Sequence, residues 1–196
     1  MMIFRIHNTR ITLQFGFFAV PALVLCLGGG EHFLPAVLSC AVHEAGHIIA
    51  AWLCGMRIGE IRFGMLGIHM YGDTQTVSYL RRAAVSLAGP LINFIGFLLC
   101  LPLPQPYYAM QLVLFIFHIF PAVPLDGGTA LYCVLCSVMP ERSAARWSMG
   151  ISVVLAFLLG LLGFLILLQS RGNFTLLAAA MYIVIYIVLK QRGDLC

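Results

Sequence analysis

Residues 33–55 read FLPAVLSCAVHEAGHIIAAWLCG, an apolar stretch with the pattern HEAGH at positions 43–47 in its middle. The stretch is long enough to cross a bilayer, because a spanning helix needs about 20 predominantly apolar residues. Residues four apart lie on the same face of a helix, so His43 and His47 can bind one Zn²⁺ while Glu44 faces a metal-bound water. Since lipid cannot solvate such side chains, the pattern predicts a functional metal site inside the membrane.

Composition indicates an integral membrane protein. The 196 residues are 62% hydrophobic and 9% charged, with a mean hydropathy of +1.01. Soluble domains are about half apolar and about a quarter charged. Because long polar intervals are almost absent, we expect a single membrane domain over residues 1–196, with no PDZ or CBS domain.

Apolar periodicity predicts an all-α membrane protein with six transmembrane helices. Each predicted span approaches the ~20 residues that a ~30 Å hydrocarbon core requires. The spans are 11–28, 33–54, 82–103, 108–137, 147–168 and 174–190.

The distribution of basic residues predicts the orientation and explains the net charge of +4. Only Arg171 falls on one side of these spans, and the positive-inside rule makes the other side cytoplasmic. We therefore expect both termini in the cytoplasm and no nucleic-acid partner. The residues on the cytoplasmic side are Arg5, Arg10, Arg57, Arg62, Arg81, Arg82, Arg142, Arg146, Lys190 and Arg192.

The interval 56–79 breaks the helical pattern. Apolar residues alternate with charged residues and glycines, which predicts a small β-hairpin between the second and third spans. A sheet edge cannot face lipid, so we place the hairpin at the cytoplasmic surface or in a wetted cavity. There its edge strand could pair with an extended peptide, or the segment could be a solvated connector.

The fourth predicted span contains Pro121 and Pro124, each of which removes a backbone hydrogen-bond donor. We therefore expect a break in the helix over 121–128, which places Asp126 on a loop or at a new helix N-terminus. A catalytic zinc needs three protein ligands, and Asp126 is the best candidate to join His43 and His47. The alternative is that Asp126 only caps a helix.

These residues together favour hydrolysis over structural roles. Bound Zn²⁺ lowers the pKa of its water, and Glu44 can take the proton and pass it to the leaving amine. Two packed histidines and a capping aspartate would be the structural alternative. Intramembrane His and Asp ligands also occur in metal-ion transporters, and a catalytically silent binding protein is a third possibility.

Three motifs resemble those of the site-2 protease family of intramembrane zinc metalloproteases. They are HEAGH at 43–47, AGPLIN at 88–93 and PLDGG at 124–128, in this order on three predicted spans. The resemblance covers a catalytic core at about 33–136. It implies zinc ligation by His43, His47 and Asp126, acid/base catalysis by Glu44, and a role for Asn93 in orienting substrate or stabilising the oxyanion.

The compact six-span form resembles the sporulation branch, which processes a membrane-associated pro-sigma factor. The resemblance implies regulated intramembrane proteolysis of a membrane protein or membrane-associated protein in a bacterial plasma membrane, and it leaves open an inhibitory membrane partner. Two features depart from that branch. The sequence given contains no CBS domain, and His118 stands where relatives usually have asparagine. His118 could hold the loop, contact the metal or be a core residue.

Overall fold

The computed structural model describes residues 2–6, 9–13, 30–56, 58–64, 67–72, 77–169 and 175–193. The chain divides into two compact units, Met1–Ile116 (unit 1) and Phe117–Cys196 (unit 2). Each unit is described by itself below.

Six helices and four strands are present in the described parts of the chain. The helices are α1 (Gly30–Leu53), α2 (Tyr79–Cys100), α3 (Gln105–Ile119), α4 (Asp126–Val138), α5 (Glu141–Gln169) and α6 (Thr175–Gly193). The strands are β1 (Met2–Ile6), β2 (Thr9–Leu13), β3 (Ile58–Gly64) and β4 (Gly67–Gly72).

The strands of unit 1 form one sheet in the order β1-β2-β3-β4. β1 pairs antiparallel with β2, and β3 pairs antiparallel with β4. β2 and β3 are parallel, with Arg10 opposite Glu60 and Leu13 opposite Phe63. Parallel neighbours need a long crossover connection, and α1 lies within the segment that provides it.

The predicted fold class, an all-α protein of six spans with a small membrane-associated hairpin, is wrong. Among the described helices, three are long and apolar enough to cross a membrane: α1, α2 and α5. The fourth predicted span is two shorter helices, because its prolines interrupt it. The strands belong to a four-stranded sheet instead of an isolated hairpin, and β2 occupies the start of the predicted first span. The rest of that span, 14–28, lies outside the described residues.

In unit 1, α1 and α2 approach closely at Gly46. A Cβ on Gly46 would lie 2.9 Å from the carbonyl oxygen of Ala88 and 2.7 Å from the side chain of Ile92. Only a residue without a side chain permits this approach, as is common where helices pack inside membranes. The contact brings the histidine-bearing face of α1 against α2.

In unit 2, α4 begins at Asp126 after a short irregular segment, 120–125, that follows α3. This confirms the predicted break. Backbone bonds close the segment, with Ala122 N–H donating to Phe120 O at 2.8 Å and Leu125 N–H donating to Ala122 O at 2.8 Å. Gly127 and Gly128 pack directly on the backbones of Ile119 and Ala122, so no Cβ fits at either glycine.

The irregular segment is also attached to α5. The buried Ser152 hydroxyl accepts the backbone N–H of Val123 at 3.0 Å and donates to Ser148 O at 2.7 Å. The core of unit 2 lies alongside, where Ala122 and Leu125 pack with apolar residues of α5 and α6. These contacts give α4 a defined starting point.

Candidate metal centre

His43 and His47 form the centre of the candidate site on α1. Their side chains are 3% and 6% exposed, and their Nε2 atoms lie 3.1 Å apart. The two residues are one helical turn apart, as the predicted helix requires.

Each imidazole is oriented by an oxygen atom of unit 1. His43 Nδ1–H donates to Asn93 Oδ1 at 3.0 Å, and His47 Nδ1–H donates to the carbonyl oxygen of Val85 at 2.8 Å. A carbonyl oxygen only accepts hydrogen bonds, so both Nδ1 atoms carry the proton. In the neutral rings the lone pairs are therefore on the Nε2 atoms, which face each other.

This donor set fits a zinc ion. The Nε2 atoms of His43 and His47 lie 3.1 Å apart, close to the separation of two ligand atoms on one metal ion. Two nitrogen ligands of a tetrahedral zinc, each at about 2.0–2.1 Å from the metal, lie roughly 3.3 Å apart. Imidazoles that donate their second N–H to an oxygen are typical of zinc sites, because that bond selects the tautomer and fixes the ring. The arrangement of unit 1 therefore suits a metal ligated by both Nε2 atoms.

Gly89 of α2 leaves room for the imidazole rings of His43 and His47. A Cβ at Gly89 would collide with His47 Nε2 and would lie 2.9 Å from His43 Cε1. Any larger residue would displace both rings. The α2 backbone therefore forms one wall of the candidate site.

Asn93 lies on α2 one turn beyond Gly89 and is fully buried. Its Oδ1 accepts from His43, and its Nδ2 donates to the carbonyl oxygen of Ser39 at 3.5 Å. The structure thus brings Asn93 together with the two predicted histidine ligands. Both ends of its amide have partners within unit 1.

Glu44 follows His43 on α1 and is half-buried. Its acid/base role stays a prediction, since a general base must lie within reach of the water it activates.

Asp126, the predicted third ligand, belongs to unit 2, where it begins α4. A carboxylate in the first turn of a helix interacts favourably with the helix dipole. Asp126 Oδ2 accepts a hydrogen bond from His118 Nδ1–H at 2.7 Å, and the two side chains are 23% and 28% exposed.

Two curated proteins are similar to this chain. A putative zinc metalloprotease of Synechocystis sp. is 27% identical over 157 residues, which are 71% of this chain and 41% of that protein. A zinc metalloprotease of Methanocaldococcus jannaschii is 28% identical over 147 residues, 68% of this chain and 42% of that protein. The chain thus spans about two fifths of the length of these relatives. No protein-family model matches the chain.

A solved structure, the site-2 protease from Methanocaldococcus jannaschii, matches the fold. The TM-score is 0.69 at 22% identity, over 96% of this chain and 94% of that chain. The chain has the site-2 protease fold.

The site-2 protease fold and the names of the relatives confirm the family resemblance read from the three motifs. Both relatives are named zinc metalloproteases, which agrees with the predicted zinc cofactor and protease activity. The three apolar helices agree with the predicted membrane location. The sporulation branch stays a prediction.

Within this site-2 protease fold, several contacts were not assigned from the sequence. The Val85 carbonyl and the close approach at Gly89 depend on how α1 and α2 pack, which local patterns do not show. Glycines in two neighbouring apolar helices were the available signal, because such residues mark close helix contacts in membranes. For the bond between His118 and Asp126, the sequence offered only the departure at His118, which left open whether that residue holds the loop, contacts the metal or lies in the core.

Proposed function

We propose that the chain is an intramembrane zinc endopeptidase. It hydrolyses peptide bonds in transmembrane or membrane-adjacent segments of other proteins, near the cytoplasmic face, in regulated intramembrane proteolysis. The observation that carries the proposal is the pair of buried Nε2 atoms, 3.1 Å apart, on a helix apolar enough to span the membrane. The names of the relatives support the same chemistry.

Three side chains would hold the metal: His43, His47 and Asp126. A catalytic zinc takes three protein ligands and keeps a fourth position open for water or substrate. Asp126 suits the third position because the break before α4 delivers its carboxylate at a helix start instead of burying it in a continuous span. Its Oδ2 accepts a hydrogen bond from His118, as the carboxylates of metal sites commonly do.

The bound zinc supplies Lewis-acid activation of water and of the scissile carbonyl. Glu44 removes the proton from the attacking water and later delivers it to the nitrogen of the leaving amine. Asn93 and the Val85 carbonyl hold the two imidazoles in one orientation. For Asn93, the geometry supports this positioning role over a contact with substrate or oxyanion.

The substrate must be unwound locally before it can be cut. In a helix the scissile carbonyl accepts a hydrogen bond from the residue four positions later, which shields it from attack. Substrates with helix-weakening residues near the cytoplasmic face should therefore be preferred. β4 is an end strand of the described sheet, and an unwound substrate segment can pair with such a strand.

The proposal is tested with the full chain in proteoliposomes that also contain a single-span substrate. We expect Glu44→Gln to retain one zinc per chain and to lower the cleavage rate at least ~100-fold, because proton transfer contributes 10²–10⁴-fold. We expect His43→Ala to lose both zinc and cleavage. Zinc is measured by elemental analysis, and cleavage by mass spectrometry of the products.

Two exposed residues in the first turns of α1 provide matched controls. Glu31→Gln and His32→Ala make the same chemical changes away from the site and should retain zinc and activity. Wild-type cleavage by Glu44→Gln would remove the acid/base assignment. Zinc uptake into the vesicles without any proteolysis would favour a transporter.

A further inference from the structure

His118 and Asp126 lie on either side of the break in unit 2. His118 is in the last turn of α3, and Asp126 is in the first turn of α4. Their side chains meet at 2.7 Å, between His118 Nδ1 and Asp126 Oδ2. The bond therefore spans the irregular segment 120–125.

The backbone around Asp126 is held independently of this bond. The turn bonds at Ala122 and Leu125, the Ser152 hydroxyl on Val123 and the packing of Gly127 on Ile119 all act on the main chain. None of these contacts restrains rotation of the Asp126 side chain. The hydrogen bond from His118 acts on the carboxylate itself.

We propose that His118 is a positioning residue that orients the Asp126 carboxylate for zinc binding. A carboxylate that binds a metal through one oxygen must present that oxygen in one direction. A short hydrogen bond to Oδ2 fixes the rotation of the group and so the direction of Oδ1. Residues that hydrogen-bond to metal ligands in this way typically contribute 10–100-fold in metal affinity or activity.

This inference rests on the proposed function, because only that proposal makes Asp126 a zinc ligand. It adds a requirement on the donor: a polar hydrogen must be available at the place of His118 Nδ1. Asparagine can place its amide nitrogen at that position, whereas glutamine places its amide one bond further out, near the position of Nε2. Leucine fills a similar volume and donates nothing.

The test measures zinc affinity of the purified full chain by competition with a chelator, for wild type, H118L, H118N, H118Q and D126A. We expect H118L to weaken zinc binding 10–100-fold and H118N to restore it to within a few-fold of wild type. H118Q should resemble H118L. The d–d absorption of the Co²⁺-substituted protein should shift in H118L and return in H118N, which a purely structural role of His118 would not produce.

A double variant separates action through Asp126 from direct action on the metal. If His118 acts only through Asp126, D126A combined with H118L should bind zinc no more weakly than D126A alone. His32→Leu, on the first turn of α1, is the matched control and should bind zinc like wild type.

Three results would overturn the inference. The first is wild-type zinc affinity in H118L, the second is failure of H118N to restore binding, and the third is a further loss of affinity in the double variant. Wild-type affinity in D126A would instead refute the third ligand of the proposed function. The two failures are therefore distinguishable.

Discussion

At the scale of single residues, the candidate centre depends on which nitrogen of each imidazole carries the proton. Oxygen acceptors at both Nδ1 atoms leave the Nε2 lone pairs of His43 and His47 directed at each other. A side-chain amide provides one acceptor and a backbone carbonyl provides the other. The carbonyl is part of α2 and cannot be removed by substitution, so Asn93 is the contact open to a test.

Replacing Asn93 by alanine should weaken zinc binding by 10–100-fold, because His43 loses the acceptor that fixes its tautomer and ring orientation. Chelator competition on the purified full chain measures the change. Gln111→Ala is the control, since Gln111 is a second buried amide of unit 1 whose Oε1 has no hydrogen-bond partner among the described residues. Equal zinc affinities in wild type and Asn93→Ala would contradict the positioning role.

At the scale of helices and strands, glycines determine how closely the helices around the candidate site approach one another. Gly46 lets α1 reach the α2 backbone, and Gly89 leaves room for the two imidazole rings. In unit 2, Gly127 and Gly128 allow α4 to start directly against the preceding break. At each of these positions a Cβ would lie too close to a neighbouring atom, so the packing requires glycine.

Substituting Gly89 by alanine should abolish stoichiometric zinc binding, since the new Cβ would occupy space now taken by His47 Nε2. Elemental analysis of the purified variant measures this loss. Gly150→Ala in α5 is the matched control, because a Cβ there meets nothing within 4 Å. It should bind zinc normally and gain up to about 1 kcal/mol of stability from helix propensity. Normal zinc content in Gly89→Ala would show that the packing of α2 does not limit the site.

The sequence predicted the local features of these elements but not their long-range pairing. The ligand helix and the break before Asp126 follow from local patterns, namely the four-residue histidine spacing and the two prolines. The parallel pairing of β2 with β3 joins segments on either side of α1, which no local alternation reveals. The contact of His118 with Asp126 depends on how the chain turns over 120–125, and the two prolines predict a break there but not its path.

At the scale of the whole molecule, the chain has an excess of basic residues. Three helices in its described residues are apolar and long enough to cross a bilayer. Buried imidazoles on one of these helices are costly in lipid unless they bind something or hydrogen-bond to neighbours. The hydrogen bonds of His43 and His47 satisfy their Nδ1 atoms, and their Nε2 atoms lie close enough together to bind one metal ion. With these interactions, His43 and His47 can be buried in a membrane-spanning helix without a large cost.

The distribution of Lys and Arg placed both termini in the cytoplasm on the assumption of six spans. Three of the described helices are long and apolar enough to cross a membrane, so the orientation stays a prediction that needs its own test. A fluorescent protein fused to either end should therefore fluoresce in a bacterial host, and a periplasm-dependent phosphatase at either end should stay inactive. A phosphatase fused after Arg171, the one basic residue assigned to the outer side, is the positive control. An active phosphatase at only one terminus would mean that the number of crossings is odd.

Zinc coordination in the purified full chain tests the central claim most directly. X-ray absorption spectroscopy together with elemental analysis should find one zinc per chain, with two imidazole nitrogens at about 2.0–2.1 Å and a carboxylate oxygen that is absent in Asp126→Ala. Substoichiometric zinc in gently purified protein, or a zinc shell that keeps both nitrogens when His43 and His47 are replaced, would contradict the account.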